Sequence, residues 1–279
     1  MQKYSKKTFT WIISMALLCC GVLNAKDSVD EKNIKQRLQI GCEFPDTTVI
    51  QTVSRKLAEA NPELEISISK IKQGEGVTFL EKGILNMLIS DTEAGKKFTR
   101  KFRVFPFAVS AVKIIVSSEN TLTDISSEKT AEIFSRAIIN WNEAGGHNAP
   151  ICIYGLNNST EAARTFETMI MKTAPIYDKI LSVSSDKEIA SLIASDKNGI
   201  GYSGMTNIKS KRIKTLTLNK TEPSMENIIS GKYECARKLY IITVQQTEQT
   251  KRFMTALNSP SGNEALKNSG LIPLPPAKQ

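Results

Sequence analysis

The sequence is poor in the residues on which much catalysis and metal binding depends. It holds one histidine, His147, in a polar Gly-Gly loop, and no pair of its cysteines has metal-site spacing. A Ser-His-Asp arrangement would have to rest on that loop histidine by chance. "GYSGM" around Ser203 comes close to a nucleophile elbow, but Met205 stands where the second flanking glycine belongs. "QGEGV" has neither the length nor the lysine of a P-loop. No spacing among the 28 acidic residues nominates a pair of catalytic carboxylates. These absences weigh against an enzyme, against a metal site and against a bound cofactor. Aromatic residues make up only 6% of the chain and no nucleic-acid motif occurs, so the formal charge of +9 is no argument for nucleic acid. There is also no internal repeat and no low-complexity linker. If the chain forms two lobes, it passes between them along regular strands.

What is present begins with an export signature. Lys3, Lys6 and Lys7 form a positive start, "FTWIISMALLCCGVL" is an apolar run short for a membrane span, and Ala25 offers a cleavage point. Residues 1–25 are therefore predicted to be a signal peptide, with an uncleaved anchor as the alternative. Lipidation at Cys19 or Cys20 is disfavoured by the residues before them. Loss of the three lysines lowers the charge from +9 to +6. The densest basic stretch, "GKKFTRKFRVF" (Lys96 to Phe105), reads as a solvated surface rather than a contact for anionic lipid. Cys42, Cys152 and Cys235 remain after the signal. An oxidising compartment permits one bridge, for which Cys152–Cys235 is the candidate pair; free buried thiols are the plainer reading.

The pattern of the remaining chain alternates strands and helices. "RLQIGCEF" predicts a strand, "TTVIQTVSRKLAEANPEL" an amphipathic helix ending near Asn61-Pro62, and "EISISKI" a strand. "GEGVTFLEKGILNMLIS" predicts a Gly loop, a short helix and a strand. Longer strands are expected over 107–118 and 233–244, and helices after Ser126 or Ser127, after Ser159-Thr160, and over "SDKEIASLIAS". Two short helical pieces and an irregular tail, "LIPLPPAKQ", close the chain. This rhythm argues for a doubly wound α/β fold. The stretch "YGLNNSTEAARTFETMIM" poses a specific problem. Its helix opens on Asn, Ser and Thr, leaving N–H groups suited to an anion, yet Glu161 sits in the first turn.

Several segments, in order, resemble the periplasmic phosphate-binding proteins of ABC transporters. "AEIFSRAIINWNEAGGHNAPI" (131–151) is similar to that family's "IF-x-G-x-I-x-NW-x-x-x-GG" segment through Ile133, Phe134, Ile139, Asn140, Trp141, Gly145 and Gly146. "VKIIVSSENTLTDIS", "GIGYSGM", "GKYECARKLYIIT" and "NSGLIPL" resemble further family segments, so the likeness runs from about residue 37 to 275. The resemblance implies a two-lobed periplasmic-binding-protein fold of type II, each lobe a helix-flanked mixed sheet, with strands crossing between lobes. It implies lobe one at 36–110 plus 236–279 and lobe two at 111–235. It also implies an exported monomer in the periplasm that captures a small solute, phosphate above all, for an ABC permease of the inner membrane.

In that family, Gly-rich loops, short hydroxyls, an Arg and an Asp hold the oxyanion. The matching positions here are Glu43 and Phe44 in "GCEFP", Gly74 in "KQGEG", Asp91 in "SD", and Ser159, Thr160 and Glu161 at the helix start. These are the expected ligand-binding residues. Glu43 stands where a hydroxyl is usual, the second loop lacks its Ser, and Leu156 falls on the position of the Arg. Glu43, Glu75, Glu161 and Asp91 are thus expected to face the cleft with no Arg near them, which opposes phosphate. The rim, pointing into solvent, is the alternative for each Glu. The functional readings left open are phosphate binding, a drifted ligand such as an amine-bearing solute, and an envelope sensor or protein-interaction scaffold that transports nothing.

Overall fold

The structure, a computed structural model, describes residues 36–44, 47–91, 101–205 and 210–275. The expected signal peptide lies outside the described residues, as do Pro45 and the Lys96, Lys97 and Arg100 part of the basic stretch.

The first elements follow the expected rhythm: β1 (Gln36–Cys42), α1 (Thr48–Ala60), β2 (Leu64–Lys70), α2 (Gly76–Glu81) and β3 (Met87–Ser90). The face of α1 formed by Val49, Ile50, Val53 and Leu57 is buried, as a 3.6-residue period requires. β4 (Arg103–Ser117) is the long central strand. Beyond it come β5 (Asp124–Ile125), α3 (Ser127–Phe134), β6 (Cys152–Leu156) and α4 (Glu161–Phe166), which runs on as a π-helical turn over Glu167–Met171. β7 (Leu181–Val183), α5 (Asp186–Ser195), β8 (Gly199–Gly204), β9 (Ile213–Thr215), β10 (Thr217–Leu218) and α6 (Met225–Ser230) follow. The chain returns along β11 (Ala236–Thr243) and ends in α7 (Glu248–Leu257), α8 (Pro260–Asn268) and β12 (Leu271–Pro273). Ser126, Thr160 and Ser185 cap α3, α4 and α5 by accepting the N–H of Lys129, Ala163 and Glu188. Of the two candidate caps of α3, Ser126 is therefore the one used.

Among the described residues the main sheet has ten strands, in the path β2-β1-β3-β11-β4-β8-β6-β7, with β12 and β9 also on β4. β1 is parallel to β2 and β3, and β6 to β7 and β8, whereas β4 is antiparallel to β11 and β8. Two large apolar clusters flank this sheet. One joins Leu38, Ile40 and Val53 to Phe107 and Ala108 of β4, Leu239 and Ile241 of β11, and Phe253 of α7. The other joins Val109 to Val116 of β4 with Phe134, Trp141, Phe166, Ile189 and Tyr202. The cores divide within β4, so β4 and its partner β11 carry the chain from one to the other.

Several expectations need correction. β4 begins at Arg103, earlier than residue 107, and β11 begins at Ala236, later than residue 233. The tail is not irregular throughout: Leu271–Pro273 pairs with β4. β5, β7, β9, β10 and α6 were not expected, because elements of two to six residues show no usable period. Cys42, Cys152 and Cys235 are free, so the candidate Cys152–Cys235 bridge is absent and the free-thiol reading holds. Cys152 opens β6 and Cys235 immediately precedes β11, with β8 and β4 between those strands. Three strand spacings come to about 14 Å, twice the reach of a disulfide.

Candidate functional site

β1 ends beside β3, and the next residue, Glu43, is held there by its N–H on the Ile89 carbonyl at 2.9 Å. Its side chain is only 4% exposed. Glu43 Oε1 accepts the N–H groups of Gly74 and Gly76, each at 3.0 Å, and Oε2 accepts the Ser90 hydroxyl at 2.6 Å. The two glycines make this possible. Gly74 has φ +89°, which side-chain-bearing residues rarely adopt. A Cβ on Gly76 would lie 2.4 Å from Leu88 Cδ1 and 2.9 Å from the Glu43 carboxylate.

Next to Ser90, Asp91 meets two guanidiniums. Its Oδ2 accepts Arg164 Nε at 3.2 Å and also Arg237 Nη1. Arg237, reaching in from β11, gives Nη2 to Glu161 Oε1 and Nε to the Thr165 hydroxyl at 2.9 Å. Thr165 in turn shares a hydrogen bond with Ser110 of β4 at 2.7 Å. The side chains of Arg237, Asp91 and Glu161 are almost wholly buried, and Arg164 is mostly so. Burial pushes the Glu161 carboxyl up to about 7, Arg237 opposes that shift, and Asp91 adds to it. Burial likewise lowers the pKa of Arg237, opposed by Glu161 and Asp91. Glu161 Oε2 and Arg164 Nη2 are buried without a hydrogen-bond partner. Ser110 lies beside Glu161, and its hydroxyl, paired with Thr165, also lowers the Glu161 pKa.

A cavity of about 260 Å³ adjoins this cluster, lined by Ser110, Ser159, Thr160, Glu161, Asp186 and Ser269 among others. Its walls come from β4, from the starts of α4 and α5, and from the turn after α8. The site therefore collects groups from both ends of the sheet. Among the described residues no group of three or more His, Cys, Asp or Glu side chains is placed to hold a metal ion.

Of the residues singled out from sequence, Asp91 and Glu161 come together on Arg237, while Glu43, with Gly74 bonded to it, is held on the neighbouring Ser90. Ser159 and Thr160 line the cavity, and the Thr160 hydroxyl is occupied in capping α4. Phe44 belongs instead to the apolar cluster around β1. Glu75 is exposed at the start of α2, so it takes the rim reading, while Glu43 and Glu161 do not. The expectation that no Arg is near is overturned. Arg164 stands three residues after Glu161, and Arg237 lies in "YECARKLYI", a segment already matched to the family. Both were readable as residues; the strand register that turns Arg237 inward was not. The "NW…GG" segment proves structural. Trp141 is fully buried and donates its indole N–H to the Asn198 carbonyl, Gly145 has φ +96°, and none of these residues lines the cavity.

The comparisons with known proteins agree with this fold. The family described as the PBP superfamily domain matches residues 28–260. The phosphate-binding protein PstS of Borreliella burgdorferi is 23% identical over 94% of this chain and 97% of its own length. The Bacillus subtilis protein of the same name is 22% identical over 90% of this chain and 85% of its own. The crystal structure of an ABC-type phosphate transport receptor from Vibrio cholerae superimposes with a TM-score of 0.73 at 21% identity, covering 86% of this chain and all of that one. The architecture is thus the two-lobed periplasmic-binding-protein fold of type II, built here on one continuous mixed sheet rather than a separate sheet in each lobe, with β4 and β11 running from one core to the other. With the family match extending over most of its length, the chain belongs to the PBP superfamily.

Proposed function

We propose that this chain is an exported solute-binding protein that captures a small solute between its lobes and delivers it to an ABC permease of the inner membrane. Its role is binding, not catalysis. Residues 1–25 act as the signal peptide, lobe one spans 36–110 plus 236–279, and lobe two spans 111–235. The family and the names of the relatives support this reading. The observation that carries it is the convergence of Asp91 after β3, Arg237 of β11, and Glu161 and Arg164 of α4, with Glu161 lining a cavity of about 260 Å³.

Phosphate is the ligand that the relatives' names bring to this chain. Glu43, Gly74, Asp91, Ser159, Thr160 and Glu161 are the residues that would meet a solute or position those that do. The donors suit an oxyanion, but Glu43, Asp91 and Glu161 already accept from them, so phosphate has to displace carboxylates to reach them. The pairing of these carboxylates with the protein's own guanidiniums also favours a second reading, an envelope sensor or scaffold that transports nothing.

Thermal unfolding of the mature protein against a panel of inorganic oxyanions, amine-bearing solutes and polyols tests the proposal. The proposal predicts a concentration-dependent rise in Tm with at least one small solute, since a ligand at a hundred times its Kd stabilises by about 2.7 kcal/mol. No rise with any member of the panel, together with recovery of a protein partner, favours the scaffold.

A further inference from the structure

We infer that Glu43 and Glu161 are built-in anions that determine specificity: their carboxylates occupy the donors an oxyanion would use and so exclude divalent oxyanions from the cleft. This rests on reading the cleft as the solute site. Glu43 takes two loop N–H groups and a serine hydroxyl at 3.0, 3.0 and 2.6 Å, three donors converging on a single buried carboxylate. Such a set suits one oxyanion, and here the chain supplies the anion itself. Glu161 holds the inner guanidinium, Arg237, from the opposite side of Asp91.

The cluster is imperfect in the manner expected of a substituted site. Arg164 Nη2 keeps an unused N–H, and Glu161 Oε2 an unused lone pair, in the same buried patch. A pair evolved only to lock the lobes would be expected to satisfy both. Asp91 and, above about pH 7, the ionised Glu161 already balance Arg164 and Arg237, and Glu43 already fills the loop donors, so a dianion arriving in the cleft meets carboxylate and no spare positive charge. Two like charges about 5 Å apart cost enough, at an effective dielectric near 20, to weaken binding about a hundredfold.

The test is equilibrium dialysis with radiolabelled inorganic phosphate on the mature protein and on the Glu43→Ser, Glu161→Ser double variant. The inference predicts about a hundredfold tighter phosphate binding by the double variant and a smaller gain for each single variant. Glu75→Ser, which removes an equal charge at the exposed start of α2, is predicted to leave phosphate binding unchanged. No gain in the folded double variant, or an equal gain in Glu75→Ser, overturns the inference. If the double variant does not fold in buffer, recovery of cooperative melting on adding phosphate supports it. No recovery, with a folded Glu161→Ser that also gains nothing, overturns it. These outcomes are separate from the solute panel on the unsubstituted protein, so the solute-binding proposal and this inference can fail independently.

Discussion

Glu161 has one oxygen on a guanidinium and the other in a buried place without a partner. Burial outweighs the attraction of Arg237, and the carboxyl rises from its ordinary 4.5 to about 7. The charged groups facing it are Arg237 from β11, Asp91 from the end of β3, and Arg164 from its own helix; Ser110 from β4 is neutral. Because the folded chain holds this proton to a higher pH than the unfolded one, Glu161's contribution to stability is full below about pH 4.5. It is lost as the pH rises to about 7. Glu161→Gln removes that dependence. Urea titrations between about pH 5 and pH 7 should show a flatter slope of unfolding free energy in the variant, by ~2–3 kcal/mol over the window. An equally steep slope in both proteins contradicts this assignment. At this scale the sequence disclosed which residues were unusual, Glu43 and Glu161 above all. It did not disclose that they meet donors, because that depends on where backbone N–H groups and guanidiniums point.

The elements that set the site are short, and their geometry depends on small residues. α2 begins at Gly76, whose missing side chain leaves room for both Leu88 and the Glu43 carboxylate. Gly76→Ala forces a shift of the helix start or of Glu43 and should destabilise by ~1–3 kcal/mol, as overpacking does. Urea unfolding measures it, and a neutral effect would mean that the loop gives way freely. α1, α5 and β2 were legible because their apolar residues repeat over seven or more positions. β12 was missed because its sequence, Leu-Ile-Pro, ends on a proline and lacks an alternating pattern. It pairs with β4 because a neighbouring edge is available, which is a tertiary fact rather than a local one. The choice between a Cys152–Cys235 bridge and free thiols also waits on a tertiary fact. Only the strand order places β8 and β4 between the two cysteines.

Across the whole molecule, two apolar cores are joined through β4 and β11, and the polar cluster lies where groups from the two regions meet. Asp91 belongs to the β3 side and Arg164 and Glu161 to α4, so the ion pairs join groups from the two regions. Family members of this architecture close by hinge motion about their connecting strands. The overall architecture was legible from the order of matched segments, whereas the content of the cleft was not. Matched segments report backbone course, and the cleft is decided by a handful of side chains that depart from the pattern. The central claim, that this cleft carries its own anions, is tested most directly by calorimetric titration of the unsubstituted mature protein with inorganic phosphate near neutral pH. The account predicts no saturable heat in the micromolar range, and a stoichiometric micromolar binding isotherm would contradict it.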